Sequence, residues 1–115
     1  MKDMINALEK FLAKSRLDYA QFSLDYAQFN NRGAMKDSPI RRQMIQEYND
    51  GLKYEFGRKY IRVFDRNSAH SFIVMKDEGK FKRGDILKCA SWRSPATNFS
   101  RGNIFGEYTI RWTGA

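Results

Sequence analysis

This chain has very little from which to build a reactive centre. It holds one cysteine, Cys89, and one histidine, His70, in 115 residues. A single thiol excludes an internal disulfide framework and fits a reducing compartment. One imidazole and one thiol fall short of the three or four ligands of a zinc-type centre, so neither a metal nor a cofactor is expected. Proline is equally scarce, with only Pro39 and Pro95. No apolar run approaches the ~20 residues of a membrane span. The N-terminal MKDMINALEK places charges where a signal peptide would be apolar. A cytoplasmic protein with no membrane partner is the expectation.

What is present argues for a folded binding protein. Hydrophobic residues make up 42% of the chain and aromatic ones 15%, too many for a disordered segment. The length suits a single domain, 1–115, with a core of its own. The formal charge is +8, and it is placed unevenly. Residues 1–50 carry eight Lys/Arg against seven Asp/Glu, whereas residues 51–115 carry thirteen against six. The second half therefore faces any anionic partner, whether a nucleotide, a nucleic acid or an acidic protein surface.

Periodicity divides the chain at the same place. Met1, Ile5, Leu8, Leu12, Ser15, Tyr19, Phe22, Tyr26 and Phe29 alternate spacings of four and three, predicting one long helix with an a/d seam. Inside it, LDYAQF at Leu17–Phe22 repeats without change at Leu24–Phe29. The period of seven returns the second copy to the same helical face. Such a duplication lengthens a helix by two turns without changing its packing phase. Tyr19, Phe22, Tyr26 and Phe29 are the candidate interface of a homo-oligomer; packing within the chain is the alternative use of this face. Gly33 ends the helix, and Ser38-Pro39 opens a shorter one, with Ser38 as N-cap. The second helix carries Ile40, Met44, Ile45 and Tyr48 and stops at Asn49-Asp50-Gly51. Residues 1–50 thus read as a helical hairpin.

From Leu52 the period is two. Strands are predicted at Leu52–Phe56, Lys59–Asp65, Ala69–Met75, Ile86–Ala90, Asn103–Phe105 and Tyr108–Trp112, with turns between them. The expected fold is α+β, a helical hairpin followed by a mainly antiparallel sheet of five or six strands.

The most informative stretch is Lys88–Arg101, KCASWRSPATNFSR. It gathers Trp92, Phe99, Asn98, Lys88, Arg93, Arg101 and several hydroxyls in a loop fixed by Pro95. Cations meet phosphates, aromatic faces stack on bases, and amides or hydroxyls orient the ligand. The candidate ligand-binding residues are Lys88, Trp92, Arg93, Asn98, Arg101 and Asn103, and no catalytic residue is expected. The bland alternative has Trp92 packing on the sheet and the arginines merely solvated. Two enzyme readings are weaker still: a Cys89–His70 thiolate dyad, and a metal-free nuclease using His70 with Lys88 or Arg101. Gly79–Gly84 lacks the Lys-Ser/Thr of a phosphate loop, since Asp85 follows it, and reads as a basic turn.

The segment from Lys59 to Trp112 resembles the C-terminal region of small bacteriophage-encoded proteins. The resemblance rests on HSFIV (His70–Val74), GDILKCASW (Gly84–Trp92), the Ser94-Pro95-Ala96 turn and RGNIF (Arg101–Phe105). The order of paired helices, small sheet and "ASW…PA" segment is also similar to the Thoeris anti-defence sponge family. That family's helix-plus-sheet domains form oligomers and sequester cyclic ADP-ribose-type signals or cyclic oligonucleotides without cleaving them. The resemblance implies a counter-defence protein acting in the host cell. Within the matched segment it implies Trp92, Asn98, Arg101 and Asn103 as ligand contacts, with Lys88 beside them. An inhibitor of a host immune protein and a direct nucleic-acid binder are the competing functions.

Overall fold

The computed structural model describes residues 1–29 and 39–115, with backbone alone for residues 24–29 and Ile40. Helix α1 (Lys2–Phe29) and helix α2 (Pro39–Gly51) are followed by strands β1 (Leu52–Phe56), β2 (Tyr60–Asp65), β3 (Ser68–Val74) and β4 (Ile86–Leu87). The strands form one antiparallel sheet in chain order. The α+β class follows directly. Ser38 and Gly33, expected to cap and break the helices, lie outside the described residues.

Among the described residues, the expected five or six strands become four. Residues 103–105 and 108–112 contribute isolated bridges, Asp85 with Asn103, Gly102 with Tyr108 and Arg111 with Gly114. Their backbone groups are consumed by tight turns, such as Gly106 N–H to Asn103 O at 2.9 Å, before a ladder can extend. The segment around Arg101–Ile104 still covers the free edge of β4. Ile86 N–H donates to Gly102 O at 2.9 Å, and Ile104 N–H donates to Gly84 O at 2.9 Å.

One face of the sheet, Leu52, Ile61, Val63, Ile73 and Ile86, packs against α1. The helix answers with Met4, Ala7, Leu8, Phe11, Leu12, Ser15 and Tyr19. This stripe is rotated from the predicted seam. Phe11, off that seam, is fully buried at its centre, while Met1 and Ile5 on it are exposed. The sheet wants a broad face with two adjacent rows rather than a narrow coiled-coil stripe. Each fully buried side chain of this size contributes roughly 1.5–3 kcal/mol. Helix α2 closes the end of this core with Tyr48, whose ring stacks on Tyr19 at 4.5 Å.

The first LDYAQF copy is built into this arrangement. Asp18 accepts a 2.8 Å hydrogen bond from Trp112 N–H, Tyr19 is buried between Tyr48 and Trp112, and Leu17 faces solvent. The helix runs on through the second copy to Phe29. Among the described residues, no helix is long and apolar enough to cross a membrane.

Candidate functional site

The two faces of the sheet carry different chemistry, and His70 lies on the inner one. The register shifts from Val63 opposite Ser71 to Phe64 opposite Ala69, leaving His70 as the extra residue of a β-bulge. Strict alternation would send His70 outward beside Phe72. The bulge turns it onto the helix side, edge-on to Phe11 at 5.7 Å between ring centres. Ser71 follows it inward and is also fully buried.

A closed polar network results. Tyr48 O–H donates to Trp112 O at 2.7 Å, and Ser15 and Tyr48 hydroxyls are 2.7 Å apart. His70 Nε2 lies 2.9 Å from Ser15 Oγ and 3.2 Å from Arg111 O, while Ser71 Oγ is 2.8 Å from Nδ1. Every donor finds an acceptor if His70 is neutral with its proton on Nε2. Nε2–H then donates to Ser15 and Arg111, Ser15 donates to Tyr48, and Ser71 donates to Nδ1. Burial pushes the imidazole down to about 4 and the Tyr48 phenol up to about 12. Gly114, at φ 113°, lies against this cluster, where a Cβ would collide with the His70 carbonyl.

Cys89 lies across the sheet from His70, partly buried against Phe72, Val74 and Leu87. Burial raises its thiol to about 11, far from a thiolate at neutral pH. The sheet thus separates the two members of the thiolate dyad weighed above. It also removes His70 from Lys88 and Arg101, both exposed. Among the described residues, no three His, Cys, Asp or Glu side chains converge as a metal cluster would.

The outer face carries the candidate binding residues in two stations. At the first, Trp92 is laid across β2. Its ring meets Phe64 at 5.7 Å, and the Arg62 guanidinium sits over it at 4.5 Å. Arg62 also donates to the Trp92 carbonyl at 3.3 Å and is ion-paired with Glu55. Trp92 is therefore pinned, yet 37% of it remains exposed. Arg62 was not among the candidates. Its signal was its place between Tyr60 and Phe64 on the outward positions of an alternating strand.

The second station lies beyond β4. Phe99 is half exposed, with the Arg101 guanidinium over its ring at 4.3 Å. Lys80 donates to the Asn98 carbonyl and lies over Phe81 at 5.3 Å, tying this loop to the turn after β3. A groove of roughly 250 Å³ adjoins this station, lined by Tyr60, Val74, Glu78, Gly79, Lys80 and Phe81.

The remaining candidates divide. Lys88 and Arg93 are exposed, and both stand near the Trp92 station in sequence. Asn98 spends its side-chain carbonyl on Phe99 N–H at 3.0 Å. Asn103 is a scaffold residue: its amide donates to Arg83 O and Asp85 Oδ1, and its carbonyl accepts from Phe105 N–H at 2.8 Å. Its polar atoms are engaged within the chain. Of the interface candidates, Tyr19 is buried within the chain, Phe22 is partly exposed beside Trp112, and the side chains of Tyr26 and Phe29 lie outside the described residues. The chain matches no protein-family model, no curated protein and no solved structure.

Proposed function

We propose that this chain is a non-catalytic binding protein that captures a nucleotide-type anion on the outer face of its sheet. The observation that carries the reading is the repeated pairing of an exposed ring with a cation, Trp92 with Arg62 and Phe99 with Arg101. Each pair offers a π-face or a guanidinium plane to a base and a positive charge to a phosphate. The excess of cations in residues 51–115 gives the same region a field that attracts anions. In the counter-defence setting that the resemblance implies, the protein holds a cyclic nucleotide or cyclic ADP-ribose-like signal out of solution. A direct nucleic-acid binder is the second reading, favoured by the openness of a surface whose two stations lie on different elements.

Calorimetry with cyclic mononucleotides, cyclic dinucleotides, ADP-ribose compounds and a short oligonucleotide tests the reading, with chromatography of the recovered ligand. At least one nucleotide is expected to bind reversibly and return unchanged. Failure of every member to bind, or the appearance of a product, overturns it.

A further inference from the structure

The placement of the two stations bears on the size of the ligand. Trp92 stands over β2, whereas Arg101 hydrogen-bonds through its N–H to Ile86 O on the far side of β4. Between them lie β3 and β4, so three strand spacings of about 4.8 Å separate the stations, roughly 14 Å. Two rings that far apart do not close over one base. Stacked nucleotides advance about 3.4 Å each along a strand, so the gap corresponds to about four of them.

The surface between the stations suits such a ligand. Phe72, Val74 and Leu87 are buried there beneath Phe81 and Cys89, which makes a filled platform rather than a cavity. Cations border it on both sides, with Arg62 at one station and Lys80 and Arg101 at the other. The nearest acids are already engaged: Glu55 pairs with Arg62, and Glu78 with Lys59 at 3.2 Å. A negatively charged strand thus meets cations at both stations, and the neighbouring carboxylates Glu55 and Glu78 are already paired with Arg62 and Lys59.

Resting on the nucleotide-binding reading in its nucleic-acid form, we propose that the ligand of the outer face is a single-stranded oligonucleotide of about five or more nucleotides, spanning from Trp92 to the Phe99/Arg101 pair. Bases stack at the two stations and lie over the apolar platform between them, while the phosphates meet Arg62, Lys80 and Arg101 at its borders. Arg62 acts as a positioning residue: its guanidinium covers one face of the Trp92 indole, which meets Phe64 edge-on, and leaves the other face to a base.

The test is fluorescence anisotropy with labelled oligothymidylates of two, four, six and ten nucleotides, against a cyclic dinucleotide as competitor. Affinity is expected to rise at least tenfold from two to six nucleotides and then level off. Neutralising three or four phosphates gives a log–log salt slope of about −2 to −3. Trp92→Ala and Arg101→Ala are each expected to weaken the hexamer about 5- to 100-fold, with little effect on the dimer. Lys2→Ala, on α1, leaves both unchanged. Arg101 is exposed, so its variant keeps the test meaningful even if Trp92→Ala unsettles the loop; melting temperatures of both are measured alongside. A cyclic dinucleotide that binds as tightly as the hexamer, or an affinity flat with length, sinks the strand while leaving nucleotide binding intact. Absence of binding by every oligothymidylate removes the strand, and the nucleotide reading is removed with it when the calorimetric panel of cyclic mononucleotides and ADP-ribose compounds fails as well.

Discussion

The inner and outer faces of the same four strands have opposite designs. The inner face is closed: α1 covers it, and its polar atoms in Ser15, Tyr48, His70 and Ser71 satisfy one another or the C-terminal backbone. The outer face is covered only by its own loops, and its rings are left partly in solvent with guanidinium groups over them. Stability is concentrated on the first face, and the proposed recognition falls to the second. A protein that must keep a sticky aromatic surface exposed needs its folding energy elsewhere, since strength there would come from burying the rings that a ligand has to reach.

The largest test of this contrast is Phe11→Ala. It empties the centre of the inner core, and a loss of about 3–5 kcal/mol is expected in urea denaturation. A loss below about 1 kcal/mol would mean that α1 is not the principal partner of the sheet.

Acid should act next, through the same face. His70 is held well below its ordinary value in the folded chain, so the unfolded chain binds the proton first. Its contribution is fully present above about pH 6.5 and is lost as pH falls towards 4, on the order of 2–3 kcal/mol. His70→Gln should flatten the pH dependence in that window even if overall stability is lower. Asp3, held low by the bidentate Arg83 pair, acts only at still lower pH. A slope that persists between pH 6.5 and 4 in the glutamine variant would assign the effect elsewhere.

The smallest effect on stability belongs to the outer face. Arg62→Ala removes the guanidinium from Trp92 and should cost about 1 kcal/mol or less. It should nevertheless increase acrylamide quenching of Trp92 fluorescence, read against a Trp92→Ala control that leaves Trp112 alone. Unchanged quenching would show that Phe64, rather than Arg62, holds the indole.

Much of this was legible in the sequence. The change of period at Leu52 marks the helix-to-strand boundary, and the spacing of LDYAQF shows why doubling it only lengthens α1. Asp65–Ser68 is the β2–β3 turn that its composition suggests, with Arg66 at φ 55°. The charge asymmetry and the aromatic loop need no coordinates. The rotation of the α1 stripe was not legible, because Leu8 and Leu12 fit both the predicted seam and the observed face. Only the breadth of the opposing sheet selects Phe11 and Met4 over Ile5 and Met1. Nor was the scaffold role of Asn103, since its partners Arg83 and Asp85 come from a different turn.

The division follows the range of the forces. Backbone periodicity, turn chemistry and net charge are set by neighbours along the chain, and these the sequence determined alone: two helices, an antiparallel meander and a basic second half. Which way a side chain faces depends on contacts made across the fold. One bulged residue in β3 sends His70 into the core instead of onto the surface. One arginine on β2 fixes Trp92 thirty positions later, so that the loop's aromatic lies on the sheet and its partner ring lies beyond the opposite edge. A local pattern carries no information about such distances, because the sheet order that sets them exists only once the strands have paired.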